Sequence, residues 1–382
     1  MTISRSRGVL AVCLAAALTA GAGGALLGLC GPFTDVAADV FCPFVLEIFY
    51  LGITTGTTAT TYDPASNVTR LQMAAFLSRT VDRTLQRGSR RAALNQFWTT
   101  QDTSAIALTT VGTMPHLVAC DGADVWVPSN TDGNVTRVRA SDEKVLETWT
   151  GLDAAYGVIS AMGKILVSGA TSPGILYMID PSQPPGSVTT VASNLGSASA
   201  GITFDGARVW TGNGATVSII TPGASIPWTV TTFGGFAEPN YLTFDGSNIW
   251  VADRGQGKLF KLDSTGAVLQ TVTVGSTPQS PAFDGSNIWS PNGDGTVSVI
   301  RPSTGVVLAT LTGNGLLVPA GVAFDGQRAM VTDLIGRLSL WKAADLSPLG
   351  FVATGLTGPW GVCSDGVNFW IVMNTTSQLA RF

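Results

Sequence analysis

The chain has 382 residues, of which 45 % are hydrophobic and 12 % charged, with a formal net charge of −4. Such a hydrophobic share can bury a sizeable core and excludes a disordered chain, and the charge gives no footprint for a polyanion, which excludes nucleic acid as a partner. Low charge together with 45 glycines and 10 tryptophans predicts many short strands joined by tight turns.

The N-terminus reads as an export signal. Arg5 and Arg7 precede an uncharged stretch, GVLAVCLAAALTAGAGGALLGLC, with small residues suited to a signal peptidase. The signal is assigned to residues 1–22. An uncleaved membrane anchor is the competing reading, and a membrane is a partner only in that case. Export removes Cys13 and leaves Cys30, Cys42, Cys120 and Cys363 in a compartment that permits disulfides. Cys30 and Cys42 lie close together and form the expected pair. The absence of CxxC and of any His/Cys cluster argues against structural zinc.

Residues 30–80 form a small module of different style. Pro43–Leu51 and Leu71–Leu77 carry apolar residues at helical spacing, with Thr69 placed as the N-cap of the second helix. The order Phe33-Thr34-Asp35-Val36, Leu51-Gly52-Ile53-Thr54-Thr55-Gly56, Tyr62-Asp63-Pro64 and Val68-Thr69-Arg70-Leu71-Gln72-Met73-Ala74 resembles one S-layer homology (SLH) repeat. That resemblance implies binding to bacterial cell-wall polysaccharide. Thr69 and Arg70 fall on the family's glycan-contacting Thr-Arg, and a guanidinium fork suits a carboxylate-bearing sugar. Gln72 stands where the family has an acidic residue, and one repeat is present where wall-anchored proteins usually carry three.

Residues 81–97 read as a basic linker. Arg79, Arg83, Arg87 and Arg91 recur every four residues, with Arg90 beside the last, and would form one stripe on a helix. A solvated linker helix is the favoured reading, contact with anionic wall polymer or lipid headgroups the alternative.

From residue 98 to 382 the chain repeats itself. VACDGADVW, ITFDGARVW, LTFDGSNIW, PAFDGSNIW, VAFDGQRAM and VCSDGVNFW share one pattern, and VISAMGKILV is a degenerate seventh copy. Their glycines, at 122, 163, 206, 246, 285, 326 and 366, are spaced by 41, 43, 40, 39, 41 and 40 residues. Each period holds about four short alternating runs separated by turn chemistry, which predicts an all-β, seven-bladed β-propeller. The final copy lacks a fourth strand, and residues 105–115 supply it, closing the ring. Asp-Gly marks the inner turn of each blade, and the Phe and Trp of the motif pack in the core. Closure brings Cys120 and Cys363 into neighbouring blades. They are offset by one position relative to the Asp-Gly turn, so they are expected to face oppositely and not to bond.

Ligands of propellers bind where inner strands and loops converge at the channel mouth. A Pro slot six residues before the turn Asp (Pro115, Pro239, Pro278, Pro319, Pro359) fixes a register. The next residues around the ring are His116, Gly157, Ala200, Asn240, Gln279, Ala320 and Trp360. His116, Asn240, Gln279 and Trp360 are the candidate ligand contacts, and His116 is the only histidine. The Pro-x-x-x-x-x-Asp-Gly-x-x-(Ile/Val)-Trp units resemble the streptogramin lyase (virginiamycin B lyase-like) and YncE/NHL-type propellers. The lyase resemblance implies His and Glu acting with Mg²⁺, for which His116 and Glu238 are the candidates, but it lacks a second histidine here. No HExxH, Walker loop or nucleophile elbow is present. Asp253, Asp294 and Asp333 follow the Trp slot as solvated turn residues, with Ca²⁺ binding the alternative reading. No cofactor is assigned. The sequence thus predicts an exported, wall-associated binding protein with a propeller platform, the alternative being a streptogramin-lyase-like enzyme.

Overall fold

The structure, a computed structural model, describes residues 29–30, 32–37, 41–50, 53–88, 106–186 and 188–382. It divides into two compact units, the boundary falling between Asn95 and Gln96. The expected signal over residues 1–22, and Arg90 and Arg91 of the basic stripe, lie outside the described residues.

In the N-terminal unit, β1 (Leu29–Cys30) pairs antiparallel with β2 (Phe33–Ala37), followed by α1 (Cys42–Tyr50) and α2 (Arg70–Gly88). A disulfide joins Cys30 to Cys42, whose Cα atoms are 5.5 Å apart. Cys30, Phe33, Val36 and Val45 form its core, and the rings of Phe49 and Tyr62 pack on Phe33. Asp35 accepts the backbone N–H groups of Tyr62 and Asp63, and the first of these is the main reason its carboxyl titrates below the usual range. The helix α2 runs through to Gly88, so residues 81–88 of the basic segment are helical. No helix among the described residues is long and apolar enough to cross a membrane.

The second unit is a propeller of seven antiparallel sheets of four strands each. Blades one to six use consecutive strands. The seventh combines Pro359–Ser364, Phe369–Met373 and Gln378–Arg381 with β3 (Ala107–Thr110), which pairs with Gln378–Arg381. The N-terminal strand therefore covers the edge that the last blade would otherwise expose.

Faces of adjacent blades bury the apolar residues of the repeat against one another. Trp126, Trp210, Trp250, Trp289 and Trp370 are all fully buried. A buried indole needs a partner for its N–H, and the repeat supplies one. The turn carboxylates of Asp121, Asp205, Asp245, Asp284 and Asp365 accept these five indoles at 2.7–2.8 Å. The other carboxylate oxygen of each accepts two backbone N–H groups of the turn, as Asp245 does from Ser247 and Asn248. Burial pushes the carboxyls of Asp121, Asp205 and Asp365 up, but these donors carry them below the usual range. In blade six Met330 replaces Trp, and the Arg328 guanidinium meets Asp325 instead at 2.8 Å. Asp and Trp of the motif are thus one hydrogen-bonded unit.

Cys120 and Cys363 form a disulfide, with Cα atoms 5.9 Å apart, against the expectation from the sequence. The two cysteines do sit on opposite faces of equivalent strands, Cys120 opposite Val125 and Cys363 opposite Trp370. Neighbouring blades pack front to back, so side chains that meet across a junction belong to opposite faces of equivalent sheets. Opposite parity is what lets these two cysteines face each other.

Candidate functional site

The residue after the Pro slot sits at a β-bulge. In blade four Pro239 pairs with Asp253 but Tyr241 with Ala252, which leaves Asn240 as the extra residue. The same shift leaves out Ala320 between Pro319 and Gly321, and His116 and Gln279 lie just after the bridges Pro115–Ser129 and Pro278–Asn292. A bulge re-aims its residue out of the pleat, and here it does so toward the axis. In blade two the extra residue is Tyr156, because Ala155 pairs with Gly169 and Gly157 with Ser168. The sequence register named Gly157 instead. The inner turn of blade two has two residues, between Ala161 and Lys164, where other blades have four, such as Asp245 to Asn248 between Phe244 and Ile249. Counting back from its glycine therefore lands one residue late. The ring is His116, Tyr156, Ala200, Asn240, Gln279, Ala320 and Trp360.

Backbone hydrogen bonds tie this ring from blade to blade. Gly201, Ser280 and Gly361 donate their N–H groups to the carbonyls of Asn240, Ala320 and His116, at 2.7, 3.1 and 2.9 Å. Two other junctions use a hydroxyl relay. Gly157 donates to Ser168, which donates to Ala200, and Gly321 donates to Thr332, which donates to Trp360. The slot is small because a Cβ on Gly201 or Gly361 would stand 2.5 Å from the neighbouring carbonyl oxygen. Leu117 and Tyr241 fill it in blades one and four. Among the described residues, the junctions between blades one and two and between four and five lack this tie.

Trp360, His116 and Tyr156, from consecutive blades, make an aromatic arc. The His116 imidazole stacks on Tyr156, centroids 4.3 Å apart, and meets Trp360 edge-on at 5.2 Å. The Tyr156 hydroxyl lies 3.1 Å from that of Tyr241, within hydrogen-bonding range, and burial, foremost, keeps Tyr156 protonated. Burial also lowers the His116 pKa to about 4, so the imidazole is neutral at pH 7. His116 Nδ1, Trp360 Nε1 and Gln279 Oε1 are shielded from solvent and have no hydrogen-bond partner. Next to the arc, the innermost strands line an open cavity of about 330 Å³ whose walls include Leu117, Val158, Ile202, Val322 and the Cys120–Cys363 bridge.

Glu238 is committed elsewhere. Its carboxylate takes the Arg254 guanidinium at 2.7 Å and the Asn240 amide at 3.1 Å. No cluster of three or more His, Cys, Asp or Glu side chains able to hold a metal occurs among the described residues. The single imidazole, flanked by rings, and a carboxylate already paired with arginine do not fit a Mg²⁺ site. Asp253 and Asp333 are fully buried, neither solvated nor open to Ca²⁺. Their carboxylates accept backbone N–H groups from the loops that enter the Pro slot: Ala237 and Glu238 for Asp253, Leu317 and Val318 for Asp333. Asp294 serves Ser276 in the same way at 2.7 Å. These aspartates shape the mouth, a role hidden in a sequence that showed only polar turns.

In the N-terminal unit, Thr69 and Gln72 form a capping box. The Gln72 side-chain oxygen accepts the Thr69 N–H and hydroxyl at 2.9 Å, and the Thr69 oxygen accepts the Gln72 N–H at 3.2 Å. Gln72 thereby does structurally what an acidic residue would do at this position. Arg70, at the first position of α2, is exposed. A second cavity of about 330 Å³, lined by Thr54, Thr55, Thr57, Tyr62, Asn67 and Gln72, lies in this unit.

Comparison with known proteins agrees with both units. Residues 32–74 match the S-layer homology domain family. Among solved structures, a catalytically inactive virginiamycin B lyase from Staphylococcus aureus with quinupristin superposes with a TM-score of 0.61 at 13 % identity, covering 72 % of this chain and 98 % of that one. Hydrazine synthase of Kuenenia stuttgartiensis gives 0.61 at 16 %, with 72 % and 97 % covered. The WD40 propeller domain of Doa1 gives 0.61 at 15 %, with 74 % and 97 % covered. At these identities the likeness concerns the fold alone. No curated protein matches. The chain carries an S-layer homology domain, which points to cell-wall association, and a seven-bladed propeller.

Proposed function

We propose that this is an exported protein held at the cell wall by its S-layer homology domain, presenting the axial mouth of its propeller to a ligand. The match over residues 32–74 carries the reading. Wall polysaccharide is bound through Thr69, Arg70 and Gln72. With Thr69 and Gln72 capping the helix, the exposed Arg70 guanidinium is free to make a bidentate contact with an anionic sugar. The propeller contributes His116, Asn240, Gln279 and Trp360, joined by Tyr156.

The lyase reading has less support. His116 Nδ1 has no hydrogen-bond partner, and Glu238 is paired with Arg254. Co-sedimentation of the full chain with purified cell-wall sacculi tests the proposal. Wild type is expected in the pellet and Arg70→Ala largely in the supernatant; wild type left in the supernatant would falsify it.

A further inference from the structure

We propose that the propeller mouth binds an uncharged acetamido-sugar unit, seated on the Trp360–His116–Tyr156 arc and hydrogen-bonded to Gln279 and Trp360. The inference rests on the wall-associated reading above and gives the propeller its ligand.

Unmet hydrogen bonds carry the argument. Buried polar atoms almost always find partners, yet three of the seven ring residues hold an orphan: His116 Nδ1, Gln279 Oε1 and Trp360 Nε1. Gln279 is only 5 % exposed. The neighbouring Arg254 Nε is a fourth. An indole N–H only donates and an amide oxygen only accepts. The ligand must therefore bring both an acceptor and a donor, and an acetamido group carries a C=O and an N–H side by side.

Charge narrows the class. Arg254 and Glu238 neutralise each other at 2.7 Å, so the mouth holds no spare cation for an anionic ligand and no spare carboxylate for a cationic one. His116, neutral through burial, adds none. The aromatic arc offers ring faces to the C–H face of a pyranose, whose hydrogens carry the partial positive charge that a π face attracts. His116, Tyr156 and Trp360 remain only partly buried, which leaves the arc reachable. The orphan atoms are shielded from solvent, so a ligand reaches them only as the ring side chains shift.

Titration of the full chain with N,N′-diacetylchitobiose by calorimetry tests this. Saturable binding is expected, with choline and glucuronate producing none. Trp360→Phe keeps the ring and removes the N–H, and Gln279→Met keeps the volume and removes the amide. Each is expected to weaken binding about fivefold, the worth of one hydrogen bond, without lowering Tm. Arg70→Ala is expected to leave this affinity unchanged. The proposal is overturned by a flat titration up to about 10 mM, by wild-type affinity in both mouth variants, or by equal binding of choline or glucuronate. A flat titration from a protein that still sediments with sacculi removes the sugar and leaves wall association standing. Disaccharide binding without sedimentation does the reverse.

Discussion

The imidazole of His116 lies on the ring of Tyr156, with planes 14° from parallel. Burial keeps this side chain neutral, lowering its pKa from 6.5 to about 4. Since the unfolded chain takes up the proton at the higher pH, it binds more protons than the native state between about pH 6.5 and 4. Stability from this group is full above that window and falls as the pH drops through it. NMR titration of the single histidine should give a midpoint near 4, and Tyr156→Ala should move it upward. A midpoint at 6 or above in wild type would contradict the described packing.

Replacing Cys120 and Cys363 by serine should lower propeller stability by about 2–4 kcal/mol, since the bridge closes a chain segment of 243 residues. Chemical denaturation under non-reducing conditions measures it. The equivalent change at Cys30 and Cys42, which lie in the other compact unit, should leave the propeller transition where it was.

Asp245→Ala should destabilise by about 2–4 kcal/mol, because three donors lose their acceptor and one of them is a buried indole. Trp250→Phe removes only the indole bond and part of the ring. The expected signature is a shift of the denaturation midpoint for both variants, larger for Asp245→Ala.

Gly201→Ala should cost about 1–3 kcal/mol, through a Cβ placed against the Asn240 carbonyl and loss of the tie between blades three and four. Hydrogen exchange at the Gly201 amide reports the same tie. Protection of that amide in wild type and its loss at residue 201 in the variant are the outcomes to look for.

The propeller was legible because its signals are local. Asp-Gly turns and alternating runs repeat near every 40 residues, and each copy reinforces the others. The mouth was half legible. His116, Asn240, Gln279 and Trp360 follow from the Pro slot, but Tyr156 was missed because blade two shortened its turn and broke the count. A register taken from the strand partners of Ile165, not from Gly163, would have found it. The Cys120–Cys363 bond required knowing that blades stack front to back, a property of the ring and not of any strand. The roles of Asp253 and Asp333 depend on contacts with loops 15 to 16 residues upstream, which no pattern at the turn announces.

The strand β3 stands at the chain's point of entry into the propeller, and Cys120 follows it closely in sequence. A pull transmitted from an anchored N-terminus would load β3 first, against the four residue pairs that hold it to Gln378–Arg381. If those gave way, the load would pass through the pairing of Pro115 and Ala119 with blade one to the Cys120–Cys363 bond. The ring therefore carries an outer strand whose release would leave a covalent stop still in place.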